Sequence, residues 1–298
     1  MKLALGTLQS GGPFSFYPDA DKTAFKSVIR EALKNGITTF DSAYSYSDAE
    51  TILSSVLKEQ HIDRDDVEII DKVLPLPSLE RKVETSLRRL NSSYIDDLLI
   101  HWPPEEDKEL YIALKTLEKL KEEEKILHIG VSNFSLSLIK KISLDFEIEL
   151  IERPYSLLWT REAEETLLVA KGRMRCAFYA PLCFGLLSGR YRKREDLKDS
   201  RAFLPFFSAP SYLPLLDMLI SLSAKYSVAP VVLSLAFALN SKADIVIVGA
   251  RDKDQFDTLL KSLALKIDSE DVEKLTLLSE NINKEVNTSS PYGHTWRG

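Results

Sequence analysis
Cysteine is scarce, glycine-rich phosphate loops are missing and no apolar run is long, and each shortage removes a class of protein. The chain of 298 residues holds two cysteines, Cys176 and Cys183, seven positions apart. That is too few for a disulfide framework, so a reducing, cytoplasmic setting is expected. The four histidines (His61, His101, His128, His294) are scattered, and no Cys/His set has zinc spacing, so no metal site is expected. No apolar run approaches the ~20 residues of a membrane span. The opening Met1-Lys2-Leu3-Ala4-Leu5-Gly6 lacks the basic, apolar and cleavage regions of a signal peptide. A net charge of -6, from 39 basic and 45 acidic residues, argues against a nucleic-acid surface. No G-x-G-x-x-G follows an apolar run and there is no Walker motif, which disfavours an ordinary dinucleotide-binding fold. Internal repeats, low-complexity tracts and linkers are also lacking.

What is present is alternation. Hydrophobic residues make up 44% of the chain, enough for one large core. Short apolar runs at residues 2–6, 38–41, 67–71, 98–101, 128–132, 148–152, 176–180 and 244–248 read as strands. Several are nearly continuous in apolar character, which suits strands covered on both faces of a parallel sheet. The acidic pair Asp96-Asp97 is placed outside the buried part of the fourth. Stretches of helical period lie at 19–35, 47–60, 78–90, 108–125, 161–171, 254–262 and 269–281. Asn35-Gly36 is a C-cap signal for the first, and Ser47 with Glu50 fits a capping box for the second. Alternating strands and helices imply right-handed βαβ units. Eight strands imply an α/β chain closed into a single-domain (β/α)₈ TIM barrel over residues 1–298. A doubly wound open sheet is the competing arrangement. The expected fold has no N-terminal hairpin, because the first strand begins at once. Two long segments, 190–214 and 283–298, would lie near the face where barrel chemistry occurs.

Barrel active sites sit at the C-terminal ends of the strands. The second predicted strand ends in Asp41, followed by Tyr44 and Tyr46; the third leads to Lys72, and the fourth ends in His101. A phenol is a poor acid at neutral pH, and a nearby ammonium lowers its pKa. A carboxylate beside the ammonium fixes it, and an imidazole can hydrogen-bond a substrate oxygen. Singly, each residue has an ordinary explanation: a structural ion pair, a satisfied histidine, a rim tyrosine. The joint arrangement points to proton-relay chemistry.

Phe40-Asp41-Ser42-Ala43-x-x-Tyr46, then Lys72, then Ile100-His101-Trp102-Pro103 resembles the aldo-keto reductase pattern. The resemblance implies a catalytic tetrad of Asp41, Tyr46, Lys72 and His101, and its spacing selects Tyr46 over Tyr44. Ile129-Gly130-Val131-Ser132-Asn133-Phe134 is similar to the family segment whose Ser and Asn bind the nicotinamide carboxamide. Tyr179-Ala180-Pro181-Leu182 resembles the segment whose aromatic ring stacks on the nicotinamide. Gly185 and Leu187 continue it, in the loop that approaches the pyrophosphate. Gly249, Arg251 and Gln255 resemble the segment that holds the adenosine end. The implied cofactor set also takes in Gly6, Thr7 and Glu152. Gly130, Gly185, Gly189 and Gly249 lie where backbone amides can approach phosphates. Arg251 suits a ribose 2′-phosphate, which favours NADPH while leaving NADH open.

Some positions depart from the family. Glu152 stands where Gln is usual; an acid there can still accept the amide NH₂ bond and also suits the cationic oxidised ring. Cys183 stands where Gly is frequent, and Thr258 and Leu259 replace the usual adenine contacts. Arg153, Trp102 and Trp159 are candidates for shaping the pocket. So are the loop aromatics Phe14, Phe16, Tyr17, Phe206, Phe207, Tyr212 and Tyr292. The expectation is an NADP-dependent reductase of aldehydes or ketones, or the reverse, acting on a small-molecule carbonyl or alcohol. It would touch neither nucleic acid nor membrane, as a monomer or small homo-oligomer. One rival is a cofactor-binding regulatory barrel with negligible turnover. Another is an isomerase or lyase using Lys72 as a Schiff-base nucleophile.

Overall fold
The apolar runs become strands because each is buried on two sides, by the barrel interior and by a ring of helices. The computed structural model describes residues 2–12, 19–75 and 77–287. Its strands are β1 Lys2–Gly6, β2 Thr39–Asp41, β3 Glu68–Val73, β4 Ile95–Ile100, β5 Ile126–Ser132, β6 Leu150–Pro154, β7 Arg175–Tyr179 and β8 Ile245–Val248. They pair in parallel, in chain order, into a closed barrel. Closure is made by β1, where Leu5 lies opposite Phe40 of β2 and Val248 of β8. The open doubly wound sheet is thereby excluded.

Ala4, Ile70, Leu99, Leu150, Ala177, Ile245 and Ile247 fill the barrel interior. Gly130 of β5 is needed there for space. A Cβ at this position would lie 2.8 Å from the Leu150 carbonyl oxygen and 2.8 Å from the Leu99 side chain. Its role is therefore packing, and the expectation of a phosphate-facing amide is corrected.

The floor of the barrel is polar. Strand β4 begins at Ile95, so Asp97 lies inside it and is fully buried, contrary to the expectation that residues 96–97 stand outside. Arg175 of β7 makes this possible: its guanidinium pairs with Asp97 and, at 2.7 Å, with Glu68 of β3. His128 Nδ1 lies 3.4 Å from the same Asp97 carboxylate.

Ten α-helices are described: α1 Lys22–Lys34, α2 Ala49–Glu59, α3 Leu79–Leu90, α4 Asp107–Glu122, α5 Leu136–Ile142, α6 Arg161–Ala170, α7 Tyr212–Lys225, α8 Pro230–Leu239, α9 Lys253–Ala264 and α10 Ser269–Glu285. Helix α1 starts where the Asp21 carboxylate accepts from the Thr23 and Ala24 amides, and Gly36 follows it at φ +75°. The capping box expected at α2 is not formed. Asp48 is the N-cap residue and makes no cap bond, while Glu50 is fully buried and pairs with Arg89 at 2.9 Å. Helices α5, α7 and α8 lie outside the stretches of helical period. Among the described residues, no single helix is long and apolar enough to cross a membrane; α7 and α8 pass that test only as a pair bent by 97°.

Candidate active site
Parallel closure carries the ends of all eight strands to one rim. Asp41 ends β2, Lys72 lies one residue before the end of β3, and His101 follows β4 directly. Ser132 ends β5, Glu152 lies within β6, Tyr179 ends β7 and Gly249 follows β8. Tyr46 reaches the same rim from the loop after β2. Three of these side chains meet around the Lys72 ammonium. Lys72, 1% exposed, pairs with Asp41, and its Nζ lies 3.1 Å from Glu152 Oε2 and 5.6 Å from the centre of the Tyr46 ring. The Tyr46 ring meets His101 edge-on, with centroids 5.7 Å apart at 74°. The tetrad expected from the sequence is thus brought together, with Glu152 as an unexpected fifth member.

Burial and charge set the protonation states. Desolvation disfavours the Lys72 ammonium, but Asp41 and then Glu152 outweigh it and hold the amine well above its ordinary pKa. A lysine held charged is no Schiff-base nucleophile, which counts against the isomerase or lyase reading. Burial, then Lys72, pushes the His101 imidazole down to about 3, so it is neutral at working pH. The Tyr46 phenol moves up: burial raises it, Lys72 pulls it down, and Asp41 and Glu152 add to the rise. The expected lowering by Lys72 is present but is outweighed. Tyr46 therefore holds its proton as an acid.

Beside the tetrad is a donor and acceptor set that fits a carboxamide. Ser132 Oγ donates to Glu152 Oε1 at 3.2 Å. Asn133, at φ +66°, donates from Nδ2 to the His101 carbonyl and to Ser132 Oγ, each at 3.0 Å. Tyr179 Oη donates to Asn133 Oδ1 at 2.7 Å, which ties the ring expected to stack on nicotinamide to the residue expected to bind its amide. Glu152 Oε2 is buried without an aligned hydrogen bond, despite its nearness to Lys72. It is an acceptor suited to an amide NH₂. Thr7 is buried and bound to this layer through the Asp41 carbonyl at 2.8 Å and Ser42 Oγ at 3.0 Å. Gly6 immediately precedes it.

The segment after β7 makes successive left-handed turns: Ala180, Cys183, Phe184 and Gly185 have φ of 54°, 45°, 54° and 95°. Cys183 adopts a conformation that glycine takes more easily, which is the physical reason glycine suits this position. The Gly185 amide is spent on the Leu182 carbonyl at 3.0 Å. Pro181 is buried, and Leu187 turns its side chain into the core. Gly249 is exposed on the rim, and a Cβ there would lie 2.3 Å from Gln9 Nε2, so Gln9 crosses the end of β8. Arg251 and Gln255 flank the start of α9, where the Arg251 amide donates to Gln255 Oε1 at 3.1 Å. Leu259 is buried in the core, so it makes no rim contact.

Several candidate pocket residues are structural. Trp159, Phe206 and Tyr212 are core side chains, and Trp159 packs edge-on against Phe206 at 4.8 Å. Arg153 is buried and donates to the Phe134 carbonyl. Trp102 is half-buried beside His101, with ring centroids 6.5 Å apart. Phe14, Phe16, Tyr17 and Tyr292 lie outside the described residues. The sequence offered no sign that Glu152 reaches Lys72 across the barrel, nor of Gln9; the departure from the usual Gln was the only signal at residue 152.

The sequence model of the Aldo/keto reductase family matches residues 2–280. The chain belongs to the aldo/keto reductase family. Aldo-keto reductase YhdN of Bacillus subtilis (strain 168) is 29% identical over 307 aligned residues, covering 94% of this chain and 90% of that protein. The NADH-specific methylglyoxal reductase of Escherichia coli (strain K12) is 26% identical, covering 95% and 96%. Among solved structures, the glycerol dehydrogenase AKR11B4 from Gluconobacter oxydans superposes with a TM-score of 0.77 at 25% identity, covering 95% of this chain and 92% of that one. As an aldo/keto reductase, the chain is an NAD(P)H-dependent oxidoreductase of carbonyl compounds.

Proposed function
We propose that this chain reduces a small aldehyde or ketone to the alcohol, and runs the reverse reaction, with Asp41, Tyr46, Lys72 and His101 as the catalytic group and NADPH preferred over NADH. The observation that carries the reading is one contact set: a charged Lys72, held by Asp41, beneath a protonated Tyr46 and a neutral His101. The bound nicotinamide supplies or accepts the hydride. The residues do the rest. His101 hydrogen-bonds the carbonyl oxygen and orients it. Tyr46 donates its proton to that oxygen as negative charge grows there. Lys72 offsets the charge left on the phenol oxygen, and Asp41 and Glu152 together keep Lys72 in place and ionised. In the reverse direction the Tyr46 oxygen takes the proton back.

Ser132, Asn133 and Glu152 supply the donors and acceptors for the carboxamide, and Tyr179 a ring face for the nicotinamide. Gly6, Thr7, the loop from Pro181 and Leu182 through Gly185 to Leu187, and Gly249 would border the cofactor through their backbone, since Thr7, Pro181 and Leu187 are buried. Arg251 and Gln255 take the adenosine end. What supports NADPH is Arg251, half-buried at the start of α9, whose guanidinium matches a phosphate bidentately. One relative is named NADH-specific, so the preference is tested by fluorescence titration with both reduced cofactors. The expected result is tighter NADPH binding, weakened roughly ten-fold or more in Arg251→Met, with NADH unaffected. Equal affinities in both proteins would contradict the role of Arg251.

A further inference from the structure
The charge count around Lys72 differs from that of a simple Asp–Lys pair. Lys72 is flanked by two carboxylates, Asp41 from β2 and Glu152 from β6, all three nearly inaccessible to water. With both acids ionised, the cluster carries a net charge of minus one, placed beside the residues assigned to the carboxamide, Ser132 and Asn133. A glutamine at 152 would make the same cluster neutral. The ring of an oxidised nicotinamide is cationic and that of the reduced form is neutral, while the rest of the cofactor is unchanged between them.

We propose that Glu152 sets the redox preference of this site, making it bind the oxidised cofactor more tightly, relative to the reduced one, than a neutral residue would. The inference rests on the nicotinamide assignment above. Its physical basis is Coulombic: a buried anion stabilises a nearby cation far more than water-exposed charges do. The consequence is a shift toward alcohol oxidation and toward product-cofactor retention after carbonyl reduction.

The preference is also tied to protons. Burial, and then repulsion from Glu152 working against Lys72, leaves the Asp41 carboxyl raised to about 8. The charged and titratable groups facing the cluster are Asp41 from β2, Tyr46 from the loop after it, Lys72 from β3, His101 after β4, Glu152 from β6 and Tyr179 of β7. Asp71 lies on the other face of β3, beside Glu50 of α2. Lys72 stays charged, Tyr46 stays protonated and His101 stays neutral around neutral pH, so the proton that leaves is the one on Asp41. Below that titration the cluster is neutral; above it the cluster is anionic and favours the cationic ring. Binding of oxidised cofactor therefore releases a proton.

The test is calorimetric titration of the wild-type protein and of Glu152→Gln with the oxidised and reduced forms of one cofactor, between about pH 6 and about pH 9. The quantity read is the ratio of the oxidised to the reduced dissociation constant, in which phosphate ionisation cancels. In the wild type the ratio should fall as pH rises. At the alkaline end it should be on the order of ten-fold higher in Glu152→Gln than in the wild type. A wild-type ratio independent of pH, or a folded Glu152→Gln with the wild-type ratio, overturns the inference; should that variant not fold, the wild-type pH series decides alone. Wild-type protein that binds neither form refutes the proposed function and this inference with it. Binding of both forms without these ratio changes refutes this inference alone.

Discussion
Asp41, Asp71 and Asp97 are acids that folding has taken out of water. Burial raises all three: Asp41 to about 8, Asp71 well up with Glu50 beside it, and Asp97 less so because His128 and Arg175 pull it back. His128 is raised as well, chiefly by its bond to Asp97. Each of these groups binds a proton more strongly in the folded chain than in the unfolded one. Stability therefore falls as pH rises, from the unfolded carboxyl value of ~4 up through each folded value, and for His128 above ~6.5. The surface carboxylates Glu31, Glu59 and Asp268, lowered by lysine and arginine partners, act in the opposite sense only at acid pH, and His101, lowered by burial to about 3, opposes the fall only up to its unfolded value of ~6.5, whereas Asp41 and Asp71 act well beyond it. Urea midpoints should decline between about pH 6 and about pH 9. A midpoint that is flat or rising across that window would contradict these protonation states.

At the scale of elements, the strands were legible and part of the helical layer was not. The strand β1 has the predicted bounds, while β3 and β4 extend two or three residues beyond theirs because polar side chains such as Lys72 and Asp97 find partners inside the barrel. Helix α8 is hidden in the sequence because nearly all its residues, from Val232 to Leu239, are buried, so it lacks the polar face that gives a helix its period. Helix α5 is a short Leu136–Ile142 segment, below the length at which period is readable. Packing between strands, unlike period, is invisible in one sequence, and Gly130 shows its strength. Gly130→Ala should cost about 1–3 kcal/mol, since neither the Leu150 carbonyl nor Leu99 can retreat far in a closed barrel. Urea denaturation measures it, and an unchanged midpoint would mean that the barrel interior yields more easily than its contacts suggest.

On the scale of the whole molecule, closure of the barrel turns residues far apart in sequence into one rim. The tetrad was legible because a motif carries it, with Asp41 and Tyr46 on one turn and Lys72 and His101 at the next two strand ends. Glu152 was legible as an odd residue but not as a partner of Lys72, because β6 and β3 are not neighbours and only the curvature of the sheet joins them. The mouth of the barrel thus combines a protonated phenol, a fixed ammonium and a donor and acceptor set that fits a carboxamide, and Tyr46 is proposed as the acid for carbonyl reduction. The most direct test compares wild type with Tyr46→Phe in turnover of a reactive aromatic aldehyde, with NADPH binding followed by fluorescence in both. The expected result is a loss of about 10²–10⁴-fold in kcat with cofactor affinity unchanged. Turnover by Tyr46→Phe at the wild-type rate would contradict it.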